Sequence, residues 1–300
     1  MRPPPILDWF AKRCLPPAVA RRAKLIASVP RYHLHRRACR RGWLAHGDRY
    51  PHHLLFVAGL PKSGTTWVER MLSSVPGYGS LLIPEVNRHE LDHGESHTFE
   101  LPDDFASRFD RMLVITKMHV HGSIHNCRVL GDGDVPYAIV HRDLRDVAIS
   151  HIHYVRSTPW HPEHRDYANL DIERGLRHFG ETLLSPYADW VRSWHRHRDP
   201  AISTIVAYEE MLHDPSKALT RIVETFRLPL DRDRIEEIVA AHDFTRMSGG
   251  RRPGEERADA FVRSGTAGGW RRHFTPELES RYREVLGRFP TDLGLPPLDW

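Results

Sequence analysis

The sequence predicts an α/β fold, a three-layer sandwich built on a central, mainly parallel sheet. Three observations carry this. Short apolar runs of strand length alternate with helical stretches, the pattern of a sheet covered on both faces. The run from His53 to Arg70 reads as a buried strand, a tight glycine loop and the start of a helix. That order points loop amides and a helix N-terminus at one spot, which makes an anion cradle. The run from Tyr137 to Ser150 repeats the arrangement, with Arg142 ending a strand and Ser150 two turns into the next helix.

Taken in order, residues 1 to 50 read as a basic helical lead-in, and residues 51 to 300 as the domain proper. The first strand is expected at Leu54 to Ala58, with a helix from Thr65 to Ser74. Residues 76 to 110 carry Pro76, Gly77, Gly79, Pro84, Gly94 and Pro102 and read as irregular. Further strands are expected at Met112 to Thr116, Tyr137 to Val140 and Ile202 to Ala207. A helix is expected from Asp143 to Tyr154, and another from Glu173 to Arg198 with a break at Ser185-Pro186. Two more follow at Ser216 to Phe226 and Arg234 to His242. Arg246 to Gly269 reads as a loop and Pro276 to Leu286 as a closing helix.

Three hundred residues, 40% of them apolar, suit one large domain, and the formal charge of +4 with a pI near 9.0 is mild. A basic pocket for an anionic cofactor accounts for that balance, so nucleic acid is not an expected partner. Cys14, Cys39 and Cys127 are scattered and odd in number, so neither a disulfide framework nor a metal spacing is expected. No apolar stretch approaches a membrane span, and the N-terminus lacks a signal-peptide pattern. A cytoplasmic location is the expectation. Twenty-two histidines include close pairs, but none with a tetrahedral ligand pattern, so no metal is expected.

Of 43 Lys plus Arg only five are lysine: Lys12, Lys24, Lys62, Lys117 and Lys217. Where arginine is the default cation, a lysine stands out for its compact, tunable ammonium. Lys62 lies inside the cradle. Gly59 and Gly64 keep the spacing of a nucleotide P-loop, yet Thr65 occupies the place of its lysine. Such a loop suits a phosphate-bearing donor handled without Mg²⁺. A P-loop kinase or NTPase and a non-catalytic basic binding module are the competing readings.

The run Pro61-Lys62-Ser63-Gly64-Thr65-Thr66-Trp67 resembles the phosphosulfate loop of the sulfotransferases that use 3′-phosphoadenosine-5′-phosphosulfate (PAPS). The Arg142 to Ser150 segment is similar to that family's 3′-phosphate site. Phe261 to Thr275 resembles its late loop: Arg263 and Gly265 match, while Ser264 replaces a lysine and Gly269 an aspartate. The resemblance implies PAPS as donor, 3′-phosphoadenosine-5′-phosphate (PAP) as product, and Trp67, Tyr208 and Phe244 beside the adenine. Ile115-Thr116-Lys117-Met118-His119 resembles the family's Lys-Thr-His. It implies His119 as general base, Lys62 on the bridging oxygen and Lys117 on the sulfuryl oxygens. Glu85 is the alternative base, as in the carbohydrate branch. The histidines and arginines in 76–110 and 155–162 point to a polar or anionic small-molecule or glycan acceptor, such as a sugar or glycolipid.

Overall fold

The computed structural model describes residues 16–93, 97–257, 260, 262–287, 289–293 and 298. Cys14, Lys12 and Phe261 lie outside them. Five strands form one parallel sheet in the order β2-β3-β1-β4-β5. They are β1 (Leu54–Gly59), β2 (Gly79–Ser80), β3 (Val114–Met118), β4 (Tyr137–His141) and β5 (Ser203–Ala207). Registers such as Phe56 opposite Thr116 and Tyr137 place the carboxyl ends of β1, β3 and β4 side by side.

Every residue of β1 is buried, as expected of a central strand covered on both faces. Alternation divides the core in two. Phe56, Val114 and Ile139 face one way and pack with helices α5 (Leu144–Arg156), α7 (Ile172–Thr182) and α8 (Leu184–His197). Leu55, Val57, Ile115 and Val140 face the other way. There they meet α2 (Thr65–Leu72), α10 (Pro215–Thr225) and α11 (Arg232–Ala241). The remaining helices are α1 (Pro17–His46), α3 (Pro84–His93), α4 (Ile124–Asp132), α6 (His164–Tyr167), α9 (Tyr208–His213), α12 (Phe244–Ser248) and α13 (Pro276–Leu286).

Several local expectations are corrected. Residues 76 to 110 contain α3 and the two-residue β2. Pro84, which reads as a breaker, is the first residue of α3, where its missing N–H costs nothing. Strand β3 runs to Met118 because Lys117 and Met118 continue the ladder opposite Val57 and Ala58. The α7–α8 break falls at Leu183, and Pro186 is absorbed in the first turn of α8. The loop expected from Arg246 to Gly269 begins inside α12, which is capped by the Asp243 carboxylate, accepting from the Arg246 N–H.

The lead-in is one helix of 30 residues, α1, and its second half joins the body of the protein. Cys39 is fully buried and its carbonyl accepts from the Leu113 N–H, 3.1 Å away. His35 Nδ1 lies 3.1 Å from the Ser80 carbonyl, so α1 closes the β2 edge. Cys39 and Cys127 are free and buried, with burial pushing both thiols up to about 11. Among the described residues no helix is long and apolar enough to cross a membrane.

Candidate active site

The cradle forms because the chain leaves β1 and turns within five residues into α2. The Leu60 N–H still donates to Val140 of β4, at 2.9 Å, so the loop starts from a fixed point. Lys62 takes a left-handed conformation, φ 67°, which a non-glycine residue holds only under local strain. Gly64, φ 86°, is the N-cap of α2. A Cβ there would lie 2.7 Å from the Tyr208 ring, so glycine is required twice over. Ser63 is fully buried, and its Oγ has no partner among the described residues.

Around this loop lies a cavity of about 520 Å³. Lys62, Lys117, Arg142 and Arg263 all line it. Burial, then the charges of Arg142, Lys117 and Arg263, bring the Lys62 ammonium down to about 7. Its Nζ sits 3.9 Å from the centroid of the Tyr154 ring. Lys117 Nζ donates to Thr66 Oγ1 at 2.9 Å and pairs with Glu69 Oε2 at 3.0 Å. Glu69 also accepts from Ser80 Oγ. Burial opposes ionisation of Glu69, but Lys117 and Ser80 outweigh it and hold the carboxyl below its usual range.

Arg142 follows β4 directly and is buried. Its Nη2 donates to the Thr266 carbonyl at 2.8 Å and lies 3.3 Å from Asp146. Asp146 also accepts from the Gly268 and Trp270 N–H groups, at 2.7 and 3.0 Å. The i,i+4 pair on α5 therefore pins the late loop over the cavity. That loop brings Arg263, Ser264 and Gly265 to the same wall as Ser150. Gly265, φ 64°, packs on Phe244, and a Cβ would come within 2.1 Å of the ring. Burial lowers the Arg263 guanidinium pKa against the opposing pull of Glu256, 3.0 Å away. Tyr208 lies under Arg142, 4.3 Å from ring centroid to guanidinium carbon, and edge-on to Trp67. Thr65, Thr66, Trp67, Tyr208 and Phe244 all line the cavity. It thus gathers nearly every residue expected to hold the donor; Ser63 is fully buried and does not line it.

His119 stands just past β3 and lines the same cavity. Its Nδ1 bonds to the Gly59 carbonyl, and its own carbonyl accepts from Trp190 Nε1 at 2.8 Å. A carbonyl can only accept, so Nδ1 carries the proton and Nε2 keeps its lone pair. Burial lowers the imidazole pKa against the opposing pull of the Gly59 bond, which favours the neutral ring at pH 7.

Glu85 is not brought to this cavity. It is exposed and lines a separate small pocket with Tyr32 and Ile83. On α3 the residues that reach the main cavity are Asn87, Glu90 and His93, spaced by three; Glu85 lies about 140° from Glu90 around the helix. Asn87 is buried, and its Nδ2 has no partner among the described residues. Across from α3, His151 Nε2 lies 3.0 Å from Glu163 Oε2. Burial opposes ionisation of Glu163, but the bond to His151 and the nearby His161 and His178 keep its carboxyl lowered. Asn87, Glu90, His151, Tyr154 and Glu163 escape sequence reasoning. Only the helical spacing of Asn87, Glu90 and His93 could have flagged some of them. Among the described residues no group of three or more His, Cys, Asp or Glu is placed to hold a metal ion.

A parallel sheet whose rim gathers four cations, a neutral imidazole and aromatic walls around one cavity defines an α/β enzyme built for an anionic nucleotide donor. The chain belongs to the sulfotransferase family, whose sulfotransferase domain matches residues 53–293. Rat sulfotransferase 1C2 is 22% identical over 254 residues, 77% of this chain and 81% of that one. Human sulfotransferase 2B1 is 24% identical over 79% of this chain and 67% of its own length. Cytosolic sulfotransferase 11 of Arabidopsis thaliana is 24% identical over 80% and 74%. The fold is shared with mouse sulfotransferase SULT7A1 complexed with PAP, at a TM-score of 0.60 and 19% identity over 82% of this chain and 88% of that one. Retinol dehydratase in a complex with retinol and PAP gives a TM-score of 0.60 and 18% identity, over 86% and 88%.

Proposed function

We propose that this PAPS-dependent sulfotransferase transfers the sulfuryl group in line to a hydroxyl of a small, uncharged or cationic acceptor, without a metal. The observation that carries the reading is the cluster of cations in one cavity: Lys62 lies in the field of Arg142, Lys117 and Arg263, and all four line the cavity together with Glu90 and Glu163. The donor supplies an activated sulfur on a good leaving group. The Arg142 and Arg263 Nε groups, buried without hydrogen-bond partners among the described residues on side chains that line the cavity, suit its phosphates. His119 Nε2 takes the acceptor proton as the new O–S bond forms. Lys62 donates to the bridging oxygen as the S–O bond to the 5′-phosphate breaks, and the electron pair leaves with PAP. Lys117, held by Thr66 and Glu69, faces the sulfuryl oxygens. The two carboxylates disfavour an anionic acceptor, which departs from the sequence expectation. A neutral glycan or glycolipid hydroxyl remains compatible.

Calorimetry tests the donor site. PAP should bind far more tightly than AMP in the presence of EDTA, because Arg142, Ser150 and Arg263 address a 3′-phosphate. Arg142→Ala should cost roughly 1.5–3 kcal/mol of PAP binding, the range for a charge-assisted contact. Equal affinities for PAP and AMP would sink the assignment, and a requirement for a divalent ion would overturn the metal-free mechanism.

Proton linkage gives a second test. The Lys62 ammonium stands at about 7 in the free protein because cations surround it. A bound polyanion reverses that field and raises it, so binding takes up protons above pH 7 and takes up almost none at pH 6. Affinity for PAP should therefore weaken as pH rises from 7 to 9. Calorimetry in buffers of different ionisation enthalpy reads the uptake directly, and a pH-independent affinity would contradict it.

A further inference from the structure

Helix α1 has two opposite stripes. Ser28, Tyr32, His35, Cys39 and His46 turn toward the protein and are buried or half-buried. Arg22, Ile26, Val29, His33, Arg37, Arg40 and Leu44, spaced by three and four, form a line along the other side, and every one is exposed. Along that outer line aliphatic and cationic side chains are interleaved. Large aliphatic side chains stand in water, with Ile26 73% and Leu44 76% exposed. They contribute nothing to the core. The cations between them have no internal purpose either. Residues 17–46 contain eight Lys and Arg and no Asp or Glu. Among the described residues no carboxylate pairs with Arg22, Arg37 or Arg40.

We propose that this outer stripe of α1 docks the enzyme onto an anionic lipid bilayer surface. Charge complementarity selects the partner. An acid-free cationic helix is attracted to a leaflet of negative headgroups, and aliphatic side chains interleaved with the cations enter the headgroup–acyl boundary. A nucleic acid would satisfy the arginines and leave Ile26, Val29 and Leu44 without use. A second copy of the chain would cover the aliphatics and set like charges face to face. The inner side of α1 carries Tyr32 into a small pocket shared with Ile83 and Glu85. Helix α3, which bears Asn87 and Glu90, lies at that pocket, so docking through α1 would set the acceptor half of the active site near the bilayer.

The test is co-sedimentation of the full chain with vesicles of phosphatidylcholine alone and of phosphatidylcholine with phosphatidylglycerol. Binding to the anionic vesicles should be tighter by about tenfold or more and should weaken at high salt. Arg37→Glu with Arg40→Glu should abolish the preference. Ile26→Asn with Leu44→Asn should weaken binding to anionic vesicles and leave its salt dependence in place. PAP affinity should stay at the wild-type value in both double variants, which shows that they are folded, because α1 gives no residue to the cavity. Equal binding to the two vesicle types, or full binding by the Arg37→Glu, Arg40→Glu protein, would overturn the proposal. So would displacement from the vesicles by an equal charge of duplex RNA. A concentration-dependent dimer lost in Ile26→Asn, Leu44→Asn would replace the bilayer with a second copy of this chain.

Discussion

His119→Ala should lower turnover by roughly 10²–10⁴-fold, the usual share of a general base, and leave PAP affinity nearly unchanged. The geometry argues for both halves of that result. Nδ1 is tied to the Gly59 carbonyl, so the ring is oriented with Nε2 as its only free acceptor. The ring lines the same cavity as Lys62, Lys117 and Glu90, and all three lie close enough to act on its charge. Glu85→Ala should leave turnover close to wild type, since that side chain is exposed and lines another pocket. Glu90 is the carboxylate to compare. Its charge raises the His119 pKa against the dominant effect of burial. Glu90→Gln should therefore move the acid limb of the pH–rate profile to lower pH, because the base then stays neutral further down. An active His119→Ala enzyme beside a dead Glu90→Gln enzyme would transfer the base role to Glu90.

Lys62→Ala should cost roughly 10²–10³-fold in turnover, the scale for removing one preorganised donor from a developing anion, and should weaken PAP as well. Lys62→Arg should not rescue it. The side chain leaves a left-handed backbone position into a half-buried site against Tyr154, and a planar guanidinium is too large and wrongly shaped for a single bridging oxygen. Single-turnover measurements with bound donor separate the two contributions. Wild-type chemistry in Lys62→Arg would show that charge alone suffices and that the position of the ammonium does not matter.

The fold and the convergence of the cationic segments on one cavity were legible because their determinants are local. The β1–loop–α2 run carries its own strand, turn and helix start, and the Arg142–Ser150 and Arg263–Gly265 segments each carry a contiguous pattern. A parallel sheet then brings such segments to one rim by the common direction of its strands, which is why separated motifs could be read as one site. The same locality explains the strand ends that slipped by one or two residues. Lys117 and Met118 are in β3 because Val57 and Ala58 lie beside them, a fact about the neighbouring strand.

The sequence by itself determined the sheet, the cradle with its displaced lysine, and the pairing of a histidine with Lys117 at a strand end. Only the tertiary structure decided the rest of the cavity wall, because that wall is assembled from pieces that carry no motif. Glu90 enters from a helix hidden among prolines and glycines, and Glu163 from the turn before α6. His151 enters from α5, and the packing of these elements lines one cavity with two carboxylates as well as four cationic side chains. Only packing, too, could divide α1 into a buried stripe and an exposed one. Periodicity alone assigns apolar residues to the core, and here the aliphatics at 26, 29 and 44 lie on the water side, because Cys39 and His35 occupy the sheet edge.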